Sequence, residues 1–152
     1  MNDYLDSSAL VKLYIPEAES AMVSERVSVG SAGLACTFLQ ELETRNALRL
    51  KLFRGEATLR QIEGALAALA ADLADGIFTR REPDWAQVFE RAEELSGRYA
   101  PRLGARSADI LHVALALVLR CRNFVTFDDR QAQLAEKAGL VRVPKSLRRA
   151  GR

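Results

Sequence analysis

The chain opens on the stretch Tyr4-Leu5-Asp6-Ser7-Ser8-Ala9-Leu10-Val11-Lys12-Leu13-Tyr14, in which an apolar pair, an acid and a helical segment follow one another. Residues 3–6 predict a short strand. Ser7 and Ser8 then provide an N-cap for a helix that runs to about Tyr14. Because either serine can cap this helix, Asp6 is not needed as a cap and is a candidate functional residue.

Three further acids stand at points where an acid is costly. Glu43 lies on a predicted helix near its apolar stripe, Asp109 opens the most apolar helix, and Asp128 ends the run Phe124-Val125-Thr126-Phe127. Carboxylates at such points need a compensating charge. A bound hard cation such as Mg²⁺, which prefers oxygen ligands, compensates several of them at once. The four acids therefore favour a metal-dependent phosphoryl-transfer site.

Short apolar strands alternate with helices along the whole chain. The predicted strands are 3–6, 34–36, 77–79, 124–127 and 140–143, and the predicted helices are 7–14, 17–27, 38–53, 57–74, 83–99, 108–120 and 129–138, with a loop at Gly30–Gly33. This alternation predicts an α/β fold with a largely parallel sheet. Active sites in such sheets form at the carboxyl ends of strands, where Asp6 and Asp128 are predicted to lie.

Two of the acids have an acidic neighbour that competes for the same role. The apolar residues of helix 38–53 predict one buried face, made of Phe38, Leu39, Leu42, Leu50 and Phe53. On a helical wheel Glu43 borders this face, whereas Glu41 faces water and has Arg45 four residues later as an ion-pair partner. Glu43 is therefore favoured, with Glu41 as the alternative.

The second such pair is Asp128 and Asp129, whose side chains diverge because they are adjacent. Asp128 ends the strand directly and is favoured, while Asp129 is the natural cap of the following helix. Thr126 points to the same side as Asp128 if the strand continues, so its hydroxyl is placed to hydrogen-bond the carboxylates. The hydroxyl of Ser7 or Ser8 is likewise placed to touch a metal-bound water or a phosphate.

Composition limits the classes of protein that remain. The 152 residues, 49% apolar and 28% charged, predict one domain over 1–144 and a basic tail over 145–152. The net charge of +2 implies no polyanionic partner by itself. The apolar surroundings of Cys36 and Cys121 predict buried, reduced thiols rather than a zinc or disulfide framework. No apolar run is long enough to span a membrane, so we expect a cytoplasmic protein.

Several enzyme classes lack the residues that they need. The sequence contains no glycine-rich phosphate loop and no nucleophile elbow, and His112 is its only histidine. Nucleotide-dependent and acyl-transfer enzymes are therefore disfavoured. His112 itself lies within an apolar helix, which is typical of a core residue rather than of a metal ligand.

Four segments resemble the motifs of a PIN domain of the VapC toxin type. They are Tyr4 to Tyr14, Glu43-Thr44-Arg45-Asn46-Ala47-Leu48, Arg106-Ser107-Ala108-Asp109-Ile110-Leu111-His112-Val113-Ala114 and Phe124-Val125-Thr126-Phe127-Asp128-Asp129-Arg130-Gln131. Each segment is weak alone, but the four occur in the family's order and approximate spacing over nearly the whole chain. Together they are specific.

The resemblance implies an α/β/α PIN fold, a three-layer sandwich with a short, mainly parallel central sheet, often in a homodimer. It also implies a ribonuclease toxin that hydrolyses RNA with Mg²⁺-activated water, with Mn²⁺ as the alternative cation. The resemblance further implies a cognate antitoxin, encoded beside the toxin, that inhibits it.

Carried over residue by residue, the catalytic acids are Asp6, Glu43, Asp109 and Asp128. The resemblance implies that the metal ligands among them are Asp6, Asp109 and Asp128, of which the first two would bind directly. It also implies that Glu43 and Asp128 would act largely through metal-bound water or a second ion. Arg106 and the basic tail are expected to position the RNA backbone.

Two other functions remain open. The first is a PIN nuclease with a different task, such as RNA processing or the cutting of structured DNA. The second is a non-catalytic module that binds nucleic acid or protein, in which the acids serve as structural caps.

Overall fold

The computed structural model describes residues 2–29 and 34–145. The predicted loop at Gly30–Gly33 and residues 146–152 of the predicted basic tail lie outside them. The elements follow in the order β1 (Asp3–Leu5), α1 (Ser7–Tyr14), α2 (Ser20–Val29), β2 (Leu34–Cys36), α3 (Phe38–Phe53), α4 (Leu59–Ala74), β3 (Phe78–Arg80), α5 (Trp85–Leu103), α6 (Ser107–Val118), β4 (Asn123–Val125), α7 (Asp129–Lys137) and β5 (Val141–Val143).

These elements form two compact units, and each is described by itself. We call Ser7–Glu82 the middle unit, and Asn2–Asp6 with the chain from Pro83 onward the terminal unit. Every strand pair in the described chain is parallel. The strands and helices predicted from the sequence are all present, with ends that shift by a few residues.

In the middle unit, β2 pairs with β3, and Leu34 lies opposite Phe78. The core beside this ladder comes from α1, α3 and α4, with Val11, Ile15, Leu48, Ile62 and Ala65 buried. Helix α4 faces this core with Ile62 and Ala65, whereas Leu59 at the start of the helix is exposed. Thr58 begins α4 in a capping box with Gln61, which is a purely local interaction.

Helix α3 buries a different face from the predicted one. Phe38, Leu42 and Phe53 are 57%, 63% and 86% exposed. The buried residues are Gln40, Glu41, Thr44 and Leu48. The prediction was wrong because it weighed only apolar character. The polar residues on the buried face have partners: Gln40 forms a capping box with Thr37, and Thr44 Oγ donates to the Gln40 carbonyl oxygen at 2.7 Å.

In the terminal unit the strand order is β1-β4-β5. Tyr4, opposite Phe124 in this sheet, stacks on its ring at a centroid distance of 5.3 Å, and both side chains are fully buried. Helices α5, α6 and α7 pack on one another in this unit. The pairing of β1 with β4 joins segments that are distant in sequence, so it places the residues that follow both strands at the same edge of the sheet.

Helix α5 continues beyond the predicted end at Tyr99 to Leu103, although Pro101 lies in its last turn. Gly104, at φ 62°, closes the helix in the left-handed conformation that glycine adopts at little cost. None of the helices in the described chain is long and apolar enough to cross a membrane. The predicted burial of Cys36 and Cys121 is confirmed, and both are free thiols. Burial raises the pKa of Cys121 to about 11.

Candidate active site

Asp6 follows β1 and extends its pairing with β4, since its main-chain N–H donates to the Val125 carbonyl oxygen at 3.1 Å. The Asp6 side chain is only 1% exposed. Thr126, fully buried just after β4, donates its hydroxyl to Asp6 Oδ2 at 2.5 Å. The hydrogen bond expected from Thr126 to a site carboxylate is therefore present. It holds the Asp6 carboxylate in one orientation at the carboxyl end of two adjacent strands.

Asp128 is linked to the same hydroxyl and also caps helix α7. Its main-chain N–H donates to Thr126 Oγ at 3.0 Å. Its Oδ1 accepts from the main-chain N–H groups of Arg130 and Gln131 at 2.8 and 2.9 Å. The side chain is exposed, and within the described chain its Oδ2 accepts no hydrogen bond. Asp128 thus uses Oδ1 to cap the helix, whereas Oδ2 takes no part in the cap.

The cap of α7 was predicted to be Asp129, and this was wrong. Asp129 is the first residue of the helix, and it pairs with Arg142 Nη2 at 2.9 Å. The extended backbone of Asp128, at φ −93° and ψ 116°, is the conformation of an N-cap residue. β4 ends at Val125, three residues before Asp128, and Asp128 directly precedes α7 and caps it.

Asp109 is the third residue of α6 and is 9% exposed. Its Oδ2 accepts from the main-chain N–H of Arg106 at 2.9 Å. Ser107 is the first residue of this helix, and Arg106 occupies the N-cap position without capping through its side chain. The Asp109 carboxylate does the work of a cap from inside the helix, where the dipole also favours its charge.

Gln131 was not singled out from the sequence, yet it connects two of the acids. It is 6% exposed, its main-chain N–H binds Asp128, and its Nε2 donates to Asp109 Oδ1 at 3.2 Å. A glutamine three residues after a capping Asp normally predicts a capping box, in which its side chain returns to the cap's N–H. Here the main-chain N–H of Asp128 donates to the Thr126 hydroxyl instead. The Gln131 amide donates to Asp109. No local signal could have shown this.

A continuous chain of hydrogen bonds therefore joins three of the four predicted acids. It runs from Asp6 through Thr126 to Asp128, and from Asp128 through Gln131 to Asp109. Within residues 2–29 and 34–145, no group of three acids, histidines or cysteines is arranged to hold a metal ion by itself. Arg106, whose side chain is exposed, stands beside Asp109 in sequence and supplies its hydrogen bond from the main chain.

Glu43, the fourth predicted acid, lies in the middle unit. It is half-buried on α3, and its Oε2 accepts a hydrogen bond from Ser7 Oγ at 3.2 Å. Ser7 is the first residue of α1 and follows Asp6 directly in the sequence. Ser8, the other predicted hydroxyl, lies half-buried in the same helical turn.

Glu41 was predicted to face water, and this was wrong. It is 9% exposed, and Arg45 and Arg80 both donate to its carboxylate, Arg80 Nη2 lying 3.0 Å from Oε2. Arg80, on β3, also lies over the Phe38 ring at 5.4 Å. A helical wheel of α3 contains no information about Arg80, which lies on β3. The wheel therefore predicted that Glu41 faces solvent. Its carboxylate is fully engaged in structural ion pairs.

His112 lies in the core of the terminal unit. It is fully buried, and its Nδ1 shares a hydrogen bond of 2.7 Å with the hydroxyl of Tyr4. Its ring also meets that of Tyr4 edge to face at a centroid distance of 5.8 Å. This environment fits the core position that its apolar helix predicts.

Comparison with known proteins identifies the family. The sequence model of the PIN domain family matches residues 4–137 of this chain. Among solved structures, the chain is similar to that described as "Crystal Structure of PAE2754 from Pyrobaculum aerophilum", with 19% identity and a TM-score of 0.55 over 94% of this chain and 90% of that one. This likeness concerns the fold alone. No curated protein matches the sequence.

The match covers most of the chain, and the short parallel sheets with their helices agree with it, so the predicted α/β PIN-like fold is confirmed. The chain belongs to the PIN domain family.

Proposed function

We propose that this protein is a metal-dependent endoribonuclease toxin of the VapC type, which hydrolyses RNA phosphodiester bonds. PIN domains are in general nucleases, which supports hydrolysis of a phosphodiester bond. The observation that carries the proposal is the hydrogen-bond chain that fixes Asp6, Asp128 and Asp109 through Thr126 and Gln131. Acids used only as caps would not need to be linked to one another in this way.

The donor set suits a hard divalent cation. The candidate ligands are all carboxylate oxygens, and the orphaned amide oxygen of Gln131 adds another oxygen without a partner among the described residues. Mg²⁺ keeps several waters and commonly binds proteins through one or two carboxylates, so a cage of three protein ligands is not required. The bound cation would supply Lewis acidity and lower the pKa of an attacking water.

The three acids differ in what they can do. Asp6 is buried and fixed by Thr126, and Asp109 is held at both oxygens, so these two suit the rigid holding of a cation. Asp128 is exposed, and its Oδ2 takes no part in the hydrogen bonds that cap α7. It is the group best suited to accept a proton from the attacking water. Arg106 would contact a phosphate of the RNA backbone.

Glu43 completes the proposed set of catalytic acids on the strength of the motif resemblance. Its hydrogen bond from Ser7 orients the carboxylate within the middle unit. The remaining parts of the proposal concern partners: a cognate antitoxin protein that inhibits the enzyme, and a second copy in a homodimer. The proposed activity is cytoplasmic, where its RNA substrate is found.

Purified protein free of any antitoxin would be incubated with total cellular RNA and Mg²⁺, Mn²⁺ or EDTA. Wild type would be compared with Asp6→Asn, Asp109→Asn and the control Asp84→Asn, which changes an exposed helix cap of α5. We expect discrete fragments that require metal. Either site substitution should slow cleavage by roughly a hundredfold or more, whereas the control should cleave normally. Metal-independent cleavage, or full activity without these acids, would refute the proposal.

A second candidate function is a non-catalytic binding module. Asp128 caps α7, and Asp109 accepts the main-chain N–H of Arg106 at the N-cap position of α6, which are structural roles for both acids. In that case Asp6→Ala would lower stability and leave RNA or partner binding intact. A folded wild type that cleaves no RNA, and whose melting temperature does not respond to Mg²⁺ or Mn²⁺, would support this function instead. Cleavage of structured DNA or a processing pattern without growth arrest would indicate a PIN nuclease with another task.

A further inference from the structure

The side-chain oxygen of Gln131 is buried and accepts no hydrogen bond within the described chain. The amide nitrogen of the same group donates to Asp109 Oδ1. Because an ionised carboxylate can only accept, this bond establishes which end of the amide is the nitrogen. Oε1 is therefore an unused acceptor, one carbon atom away from the nitrogen that holds Asp109. Buried polar atoms rarely lack a partner, and such an atom in a native protein calls for a ligand or a water.

We propose that Gln131 belongs to the cation site and that its Oε1 is a neutral oxygen acceptor for the hydrated divalent cation beside Asp109. This inference rests on the proposed metal-dependent function. It goes beyond the carboxylates, because it assigns a role to an uncharged residue that the motif spacing does not indicate.

The chemistry of the amide suits that role. Amide oxygens, like carboxylates, are ligands of hard cations, and they accept hydrogen bonds from cation-bound water. The terminal torsion of glutamine is soft, so a small rotation can present Oε1 to an arriving ligand. A hydrated cation would supply a partner for Gln131 Oε1, which has none among the described residues.

Gln131 also sets the relative positions of two acids. Its main-chain N–H holds Asp128, and its side-chain N–H holds Asp109, which lies on a different helix. Loss of the Gln131 amide would therefore have two effects at once. It would remove the acceptor Oε1, and it would remove the hydrogen bond that holds Asp109. An experiment must separate these two effects, and it must detect cation binding without depending on RNA cleavage.

Cation binding would be measured by titration calorimetry with Mn²⁺ on RNA-free protein, for wild type, Gln131→Met and Gln133→Met. Gln133 is exposed on the same helix and is the matched control. We expect Gln131→Met to weaken Mn²⁺ binding by about tenfold or more, as is usual for groups that support metal ligands. The control should stay within about twofold of wild type. Unchanged affinity in folded Gln131→Met would overturn the inference.

The second readout isolates the oxygen. In wild-type protein, the side-chain carbonyl carbon of Gln131 would be followed by NMR during a Mg²⁺ titration, with Gln133 as the internal control. We expect the Gln131 signal to shift and to saturate with Mg²⁺ binding. A Gln131 signal that stays in place while Mg²⁺ binds would overturn the oxygen assignment, even if Gln131→Met binds weakly or fails to fold. Wild type that binds neither cation would refute the metal-dependent function itself.

Discussion

Thr126 donates its hydroxyl to Asp6 Oδ2 at 2.5 Å, although the two residues are 120 positions apart and both are buried. A buried carboxylate needs such donors, because its charge is otherwise costly to remove from water. The same hydroxyl accepts from the main chain of Asp128. One small side chain therefore connects two of the acids on which the proposed activity depends.

Replacing Thr126 with valine keeps the shape of the side chain but removes this hydroxyl. We expect the free energy of unfolding to fall by about 1.5–3 kcal/mol, as for hydrogen bonds to charged groups. RNA cleavage should fall as well, and Thr126→Ser should restore most of both. Urea unfolding and cleavage assays measure the two effects.

The control for Thr126 is Thr44→Val, a fully buried threonine in the middle unit whose hydroxyl donates to a main-chain carbonyl oxygen. That neutral bond should contribute about 1 kcal/mol. An equal stability loss in both variants would contradict the special importance of the Asp6 contact.

Asp128→Asn should separate the charge of Asp128 from its role as a helix cap. Asparagine caps helices about as well as aspartate, so we expect the free energy of unfolding to change by less than about 0.5 kcal/mol. RNA cleavage should nevertheless fall sharply, because the asparagine amide cannot accept a proton as the proposed mechanism requires of the Asp128 carboxylate. Denaturant unfolding and cleavage rates on the same preparations would be compared.

Asp84→Asn is the matched cap substitution on α5, where Asp84 accepts from the Gln87 N–H at 3.2 Å. It should change neither stability nor cleavage appreciably. If Asp128→Asn also leaves cleavage intact, Asp128 is a structural cap and not a catalytic acid.

Glu41 and Glu43 should respond in opposite ways to conversion to glutamine. Glu41→Gln breaks the ion pairs that the buried Glu41 carboxylate forms with Arg45 and Arg80. A fully buried pair would cost about 3–5 kcal/mol to break. The Arg80 side chain is 54% exposed and can be rehydrated, so we expect about 1–3 kcal/mol with cleavage per folded molecule retained.

Glu43→Gln should preserve stability and reduce cleavage, because Glu43 is half-buried and a glutamine oxygen can still accept the hydrogen bond from the Ser7 hydroxyl. Thermal unfolding and cleavage assays would be run on both variants. A loss of cleavage in Glu41→Gln with full activity in Glu43→Gln would reverse the assignment of the two acids.

Glu17 should make the middle unit sensitive to acid. Burial alone would raise the pKa of Glu17, but hydrogen bonds from Lys12 and Lys51, at 2.7 and 2.5 Å, outweigh it and lower that pKa below its ordinary value. A pKa lowered by folding contributes stability above the ordinary value, and that stability is lost as the pH falls through the folded-state pKa.

We therefore expect the melting temperature of wild type to fall more steeply from about pH 5 to pH 3 than that of Glu17→Gln. Glu63→Gln, which removes an exposed acid from α4, is the control and should follow wild type. Parallel curves for wild type and Glu17→Gln would show that this ion pair does not contribute to acid sensitivity.

Local patterns in the sequence were enough to predict the order and type of the elements. Thr37, Thr58 and Asp84 begin helices through side-chain bonds to residues three positions later, so a short window contains the information. The alternation of strands and helices likewise indicated parallel pairing. Asp6 and Asp128 were placed at strand ends for the same reason.

The sequence by itself thus determined the α/β order and the four candidate acids, because these depend on neighbours within a few residues. Only the tertiary structure decided which groups satisfy the buried acids. Arg80 reaches Glu41 from 39 residues away, and Gln131 reaches Asp109 from 22 residues away. Such partners depend on how distant elements pack, and a buried polar group costs free energy unless that packing supplies one.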